Sequence, residues 1–454
     1  MYRLQTYLIV SFIIGLVLSI SIAEETQTIS TNIPSLKAIN EKHLKGFDNP
    51  SNSSNSEDIE DSYDNHNPDE KIPEKCSKEI NHIESSADMN NIRDCKIITG
   101  DIVINDYKEP IIEFGDIMNI FGNLDIQRAS SLVRIEADNV HRIGNRFILK
   151  DLTSLNSISF ASLRYVKIVD WKVLPILNVA HFGNAIKETE SVTVSDTSLV
   201  EFPGFLSNKL EILDINNNRY LESIYSNVEK ITGRLHIAAN SRDVRVSLPK
   251  LQSAKNVSIH EVLDLDLNNL EEIESSINFV NNLFINLSLP VLKSIGGTLS
   301  LLKNENLGKV EFPNVTEIGG GLMIVNNTKI DKINFYPKLT IIGGAIELVG
   351  NIKETNLKNL KLVKGSAKIK SSDSSFDCTK WTKSELSSVI RGGKIECINA
   401  NNERITADTP TEGGNNDTAD NDEHSVKLAS KGVNLNATRN LKYILLLFIL
   451  MLIN

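Results

Sequence analysis

Only a few residues of this chain have the type and spacing to do chemistry. Cleaving a glycosidic bond needs two carboxylates poised across a groove. The sequence offers Asp264 with Asp266, two apart and able to share one face of a strand, and Glu271 with Glu274 on a loop. Solvated acids on an outward face explain both pairs as well, and that plainer reading is preferred. His141, His181, His236 and His260 stand far apart and lack metal-ligand spacing. Trp171 and Trp381 are single large residues that suit a packing plug and an end cap better than a sugar platform. No phosphate loop, nucleophile elbow or zinc motif occurs, so no cofactor and no metal is expected.

The remaining reactive positions point to modification. Four cysteines, Cys76, Cys95, Cys378 and Cys397, flank the central region and none lies inside it. That placement suits structural bridges in an oxidising compartment. Three pairings are possible in principle, and the local ones, Cys76 with Cys95 and Cys378 with Cys397, are expected. Glycosylation sequons stand at Asn52, Asn256, Asn286, Asn314, Asn326, Asn416 and Asn436. Their number is no more than chance gives, but on a secreted chain accessible acceptors are expected to be used. Asn256, Asn314 and Asn326, near strand ends, are the favoured ones.

A repeated phrase must position these residues. In Leu299, Leu301, Leu302 and Asn304 two apolar residues sit two apart, a third follows at once, and an Asn closes the phrase. It returns at Leu322, Ile324, Val325, Asn327 and at Ile346, Leu348, Val349, Asn351, and earlier copies begin at Leu213, Leu235 and Ile277. Weaker copies without the Asn begin at Ile102, Leu124, Phe147, Val166, Val192, Val257 and Ala367. The thirteen starts lie roughly 19 to 26 residues apart, about 22 on average, which is the period of a solenoid coil. The i, i+2 spacing puts both apolar side chains on one strand face. The closing Asn resembles the Asn of a leucine-rich repeat, whose amide satisfies the turn leaving the strand; an Asn chosen merely for a turn also fits. A second apolar stretch ends in glycines, as in Phe312-Pro-Asn-Val315-Thr-Glu-Ile318-Gly-Gly320, and these glycines are expected to supply a positive-φ corner. One coil cannot bury its apolar row alone, so stacking makes the core. The expected fold is an all-β parallel β-helix, or leucine-rich-repeat-like solenoid, of about 13 coils with disulfide-closed end caps. At about 4.8 Å per strand it would reach about 60 Å. Leu299, Leu301, Leu322, Ile324, Ile346 and Leu348 are expected in one interior column.

The flanks read differently. Residues 1–23 carry Arg3, an apolar run and a Ser21-Ile-Ala23 cleavage site, the pattern of a signal peptide; an uncleaved signal anchor is the alternative. Residues 24–75 are polar and acidic, too poor in apolar residues to form a core, and are expected to be disordered. The solenoid is assigned to residues 76–397 and a polar linker to 398–430. Residues 431–454 end in an apolar run of about 11 to 13 residues, only about 20 Å as a helix and short of a membrane crossing. With the polar spacer before it, this is the layout of a glycosylphosphatidylinositol (GPI) attachment signal, with Ser430 preferred as the attachment residue and Gly432 and Asn434 as alternatives. The net charge of −10 is spread along 454 residues, which argues against a nucleic-acid partner.

The paired end cysteines, the Phe312–Gly320 phrase and the Leu174-Pro-Ile-Leu177 segment give the chain a family likeness. It resembles the fungal GPI-anchored cell-wall glycoproteins related to the yeast sporulation-specific wall proteins, whose repeats are like the receptor L-domain. The resemblance covers residues 76–397 and both terminal signals. It implies a role in building the cell wall or ascospore wall, with no active site to carry over. The expected place is the cell surface, on the outer leaflet of the plasma membrane through the anchor or in the wall. The expected partners are cell-wall polysaccharide or wall proteins. A ligand-binding ectodomain of the receptor L-domain type is the first alternative. A wall-modifying glycanase is the second, weakened because the Asp-Asp and Gly-His-Gly motifs expected of polygalacturonase-like β-helices are missing.

Overall fold

A computed structural model describes residues 71–202, 204–383 and 385–408. The signal peptide, most of segment 24–75, Asn52, Asn416, Asn436, Ser430 and the C-terminal apolar run lie outside the described residues.

The repeated phrase forms one strand per coil, and each strand pairs in parallel with its equivalents in the coils before and after. The thirteen strands run from Asp101–Asn105 to Ala367–Ser371. The i, i+2 pair yields two interior columns rather than one. Leu299, Leu322 and Ile346 are in register in the first, and Leu301, Ile324 and Leu348 in the second. These six side chains are at most 2% exposed. Burial of each such side chain contributes about 1.5–3 kcal/mol, and no coil gains it without a neighbour. Shorter parallel strands form the opposite side, among them Ile111–Glu113, Arg245–Ser247 and Lys309–Glu311.

Register corrects one start. Val169, not Val166, pairs with Phe147 and Val192 in the first column. Val166 is buried but pairs with Ile143 in a preceding segment, and the ladder shifts between Val166 and Ile168. With Val169 in place, column residues lie 20 residues apart at the closest (Val257 to Ile277) and 24 at the widest (Leu322 to Ile346).

The corner glycines act differently from expectation. Gly296, Gly297, Gly319, Gly320, Gly343 and Gly344 do not have positive φ. Their role is close approach: a Cβ on Gly319 would lie 2.2 Å from the Gly296 carbonyl oxygen, and one on Gly343 2.0 Å from that of Gly319. Positive φ falls instead just past the phrase strand, at Asn217, Ala239, Glu261, Asn281, Lys303 and Asn326. The next residue is often the closing Asn, and these amides join neighbouring coils. The Asn304 Oδ1 accepts from the backbone N–H (2.9 Å) and Nδ2 (3.0 Å) of Asn282, while its own Nδ2 donates to the Phe279 carbonyl (3.0 Å). Asn327 repeats the pattern for Asn304, and Asn240 for Asn218. Asn351 departs from it: the preceding strand runs on to Gly350, so Asn351 is exposed and Ile352 turns inward.

Caps close both ends. Cys76 is bonded to Cys95 around the strand Ile80–Ile83 and the helix Ser86–Ile92, which buries Met89 and Ile92 and begins with a Ser85–Asp88 capping box. Cys378 is bonded to Cys397, and the helix Thr379–Thr382 buries Trp381, whose Nε1 donates to Thr355 Oγ1 at 3.0 Å. The strand Lys394–Ile398 extends the parallel sheet, with Cys397 in the second column beside Ile369. The strand Arg404–Asp408 then pairs with it antiparallel, so the sheet continues into the segment read as linker. A reversed final strand covers the edge that another coil would otherwise need.

Candidate functional site

Three of the four singled-out carboxylates have partners within or between coils, and Asp264 is exposed. Asp264 and Asp266 flank Leu265 on one short strand of the opposite side. Asp266 accepts from the Asn268 backbone N–H (3.2 Å) and the Ser247 hydroxyl (3.4 Å). Glu271 pairs with Lys293 at 2.5 Å and Glu274 with Lys230 at 3.7 Å. Trp171 is buried in the second column, edge-on to Phe147 and stacked with Phe182.

Stacking does bring two of the histidines together. His236 and His260, on adjacent coils, have ring centroids 5.7 Å apart, and His260 Nε2 lies 2.7 Å from the Ser258 hydroxyl. Burial first, and then the His236 charge, lowers the His260 pKa from its ordinary 6.5. His141 and His181 sit on other coils. Among the described residues no group of three or more His, Cys, Asp or Glu could hold a metal ion.

The sequons face different directions. Asn256 is exposed on a phrase strand, Asn326 at its positive-φ corner and Asn286 on the opposite side. Asn314 is half-buried in a turn, with Nδ2 donating to the Pro290 carbonyl (2.6 Å) and Oδ1 accepting from Lys338 Nζ (2.7 Å).

The feature that sequence reasoning missed is a cleft of about 520 Å³ spanning residues 142–209. Ahead of the phrase strand most coils add a short paired segment; Tyr165 pairs with Arg142 on one side and with Glu188 by a single bridge on the other. There the row breaks down. The Thr189 N–H donates not to a neighbouring backbone but to Ser207 Oγ (2.7 Å). Phe202 and Phe205, 6.0 Å apart and edge-on, anchor the coil behind this break inward. Regular pairing resumes at Lys209.

The gap collects charge. Arg142, Lys167, Lys187 and Lys209 line it against only Glu188 and Glu190, on a chain of net charge −10. Lys167 Nζ lies 3.8 Å from Glu190, but both are half exposed or more, so the pair contributes about 1 kcal/mol at most. The Arg142 guanidinium sits over the Tyr165 ring, 5.4 Å from its centroid. Each cation comes from a different coil, so in sequence each is a lone surface residue.

No family model matches the chain, and no solved structure matches it. Curated relatives do. The chain is 38% identical over 343 residues to sporulation-specific protein 22 of Saccharomyces cerevisiae, covering 74% of each. It is 33% identical over 316 residues to the cell wall mannoprotein PST1 of the same yeast, covering 69% of this chain and 70% of that one. A cell surface GPI-anchored protein of Arthroderma benhamiae is 30% identical over 316 residues, 69% of this chain and 81% of that one. With the coil repeat and the two cysteine-bridged caps in place, the chain belongs to the family of fungal GPI-anchored cell-surface and cell-wall proteins that includes the yeast sporulation-specific proteins.

Proposed function

We propose that this protein is a non-catalytic glycoprotein that organises the cell wall or the ascospore wall. It is tethered through a GPI anchor at Ser430 to the outer leaflet, or held in the wall. The observation that carries this reading is the use of the acids: of the carboxylates nearest to a catalytic pair, Asp266 binds a turn N–H and a hydroxyl, and Glu271 and Glu274 bind lysines. General acid–base catalysis needs two such groups aimed at one bond. Relatives named for the wall, the cell surface and sporulation support the same role. The test joins genetics to chemistry. Deletion is expected to weaken the wall or spore wall, and an Asp264→Ala/Asp266→Ala chain to restore it. Purified protein that hydrolyses β-glucan, chitin or mannan, and loses that activity in the double variant, would defeat the proposal.

A second reading, a ligand-binding ectodomain, is favoured by one observation. Among the described residues every large exposed apolar side chain except Ile285 lies ahead of Asn256, and so does the charged cleft. Expected N-glycans and exposed contact surface thus divide between the two halves of the solenoid.

A further inference from the structure

We propose that the cleft across residues 142–209 is a binding site for an acidic saccharide, a short sugar segment carrying phosphate or carboxylate groups. It takes from the preceding reading only the choice of a sugar as partner.

Charge comes first. Four cations and two carboxylates meet in this gap, on a chain that is otherwise net negative. A local excess of positive charge selects an anionic group at this place. Arg142 is the best-placed contact: held over the Tyr165 ring, its guanidinium keeps a planar donor edge for a phosphate or carboxylate. Lys187 and Lys209, both exposed, rise from the second and third coils after that of Arg142. Glu188 and Glu190 are acceptors for sugar hydroxyls, and they work against a ligand of uniform high negative charge.

Shape is the second, independent argument. The site lies where pairing between coils thins to single bridges, Tyr165 with Glu188 and Ile186 with Phe205: a hydroxyl, Ser207 Oγ, meets the Thr189 N–H where a neighbouring carbonyl would stand in a regular coil. About 520 Å³ falls within the ordinary range of small-ligand sites. The approach is also open, since no sequon occurs between residues 71 and 255.

The experiment is equilibrium titration of the purified full chain with mannose 6-phosphate, a glucuronic acid disaccharide, neutral mannose and inorganic phosphate. The phosphorylated or the carboxylated sugar is expected to bind, and the arm that does so identifies the acid group. Binding should weaken about tenfold in Lys187→Glu/Lys209→Glu and in Arg142→Gln, and on raising salt from about 50 to about 200 mM. Lys332→Glu, on the opposite side, is the control and should bind as the parent does. The single Arg142→Gln change keeps the test decisive should the charge-reversed chain misfold. Equal binding of neutral mannose, inorganic phosphate as tight as the phosphorylated sugar, unaltered binding in a folded cleft variant, or no binding of any probe would each overturn the site. A deletion strain with a normal wall would instead count against the wall role and leave the titration result standing.

Discussion

At the scale of single residues, the closing Asn carries the most structure per side chain. Asn304 satisfies the backbone N–H of Asn282 and the carbonyl of Phe279, both without access to water. Asn304→Ala leaves the Asn282 N–H without its acceptor and is expected to cost about 2 kcal/mol, whereas Asn351→Ala, at an exposed position outside the ladder, should change stability by no more than about 0.5 kcal/mol. Urea unfolding of the two variants reads the difference, and equal losses would remove the ladder from the account. The histidine pair gives a second residue-scale expectation. The folded-state pKa of His260 lies below its ordinary 6.5, so the unfolded chain takes up the proton more readily. The stability this histidine contributes is then complete above about pH 6.5 and is lost as the pH falls through the folded value. Melting temperature measured from pH 7.5 to 5 should fall less steeply in His260→Gln than in the parent.

At the scale of the element, close coil approach and the caps decide. Gly319→Ala drives a methyl to 2.2 Å from the Gly296 carbonyl, which is itself packed on the preceding coil. A loss of about 3 kcal/mol is expected, against a change within about 0.5 kcal/mol for Gly308→Ala, where the nearest atom is Lys329 Cβ at 3.8 Å. Thermal melts of both variants test this, and a tolerated Gly319→Ala would mean that the coils separate easily. At the C-terminal end the bridge joins the cap helix to the last parallel strand over a sequence separation of 19. Cys378→Ser/Cys397→Ser should lose about 3 kcal/mol and fray the chain from that end. Hydrogen exchange concentrated in residues 367–398 is the expected signature, and uniform exchange would argue against a terminal cap.

At the scale of the whole molecule, function depends on which parts of the coil surface remain bare. Glycan transfer uses the Asn Nδ2, and at Asn314 that nitrogen already donates to a carbonyl in a half-buried turn. Site-by-site occupancy of the secreted protein is therefore expected to be higher at Asn256, Asn286 and Asn326 than at Asn314. Mass spectrometry of glycopeptides measures it, and full occupancy at Asn314 would show that modification precedes folding of that coil. Glycans confined, as expected, to the C-terminal half would leave the charged cleft and its exposed apolar neighbours accessible.

The sequence by itself determined the coil: a period-2 apolar pair recurring about every 22 residues dictates which side chains face inward, and a row that no coil can bury alone dictates stacking. It also placed the caps, because cysteines confined to the two ends mark where stacking must stop. Tertiary structure decided whatever depends on one coil's position against the next. The local pattern Val166–Val169 contains two possible starts, and only the pairing of Phe147 and Val192 chooses between them. The glycines read as flexible corners, yet it is the carbonyls of the coil beneath that require them. His236 with His260, and Arg142 with Lys167, Lys187 and Lys209, are neighbours only across coils. Sequence periodicity fixes the direction of a side chain within its own strand. Distance between strands is fixed by register, and around residues 186–208 pairing thins to isolated bridges, Tyr165 with Glu188 and Ile186 with Phe205.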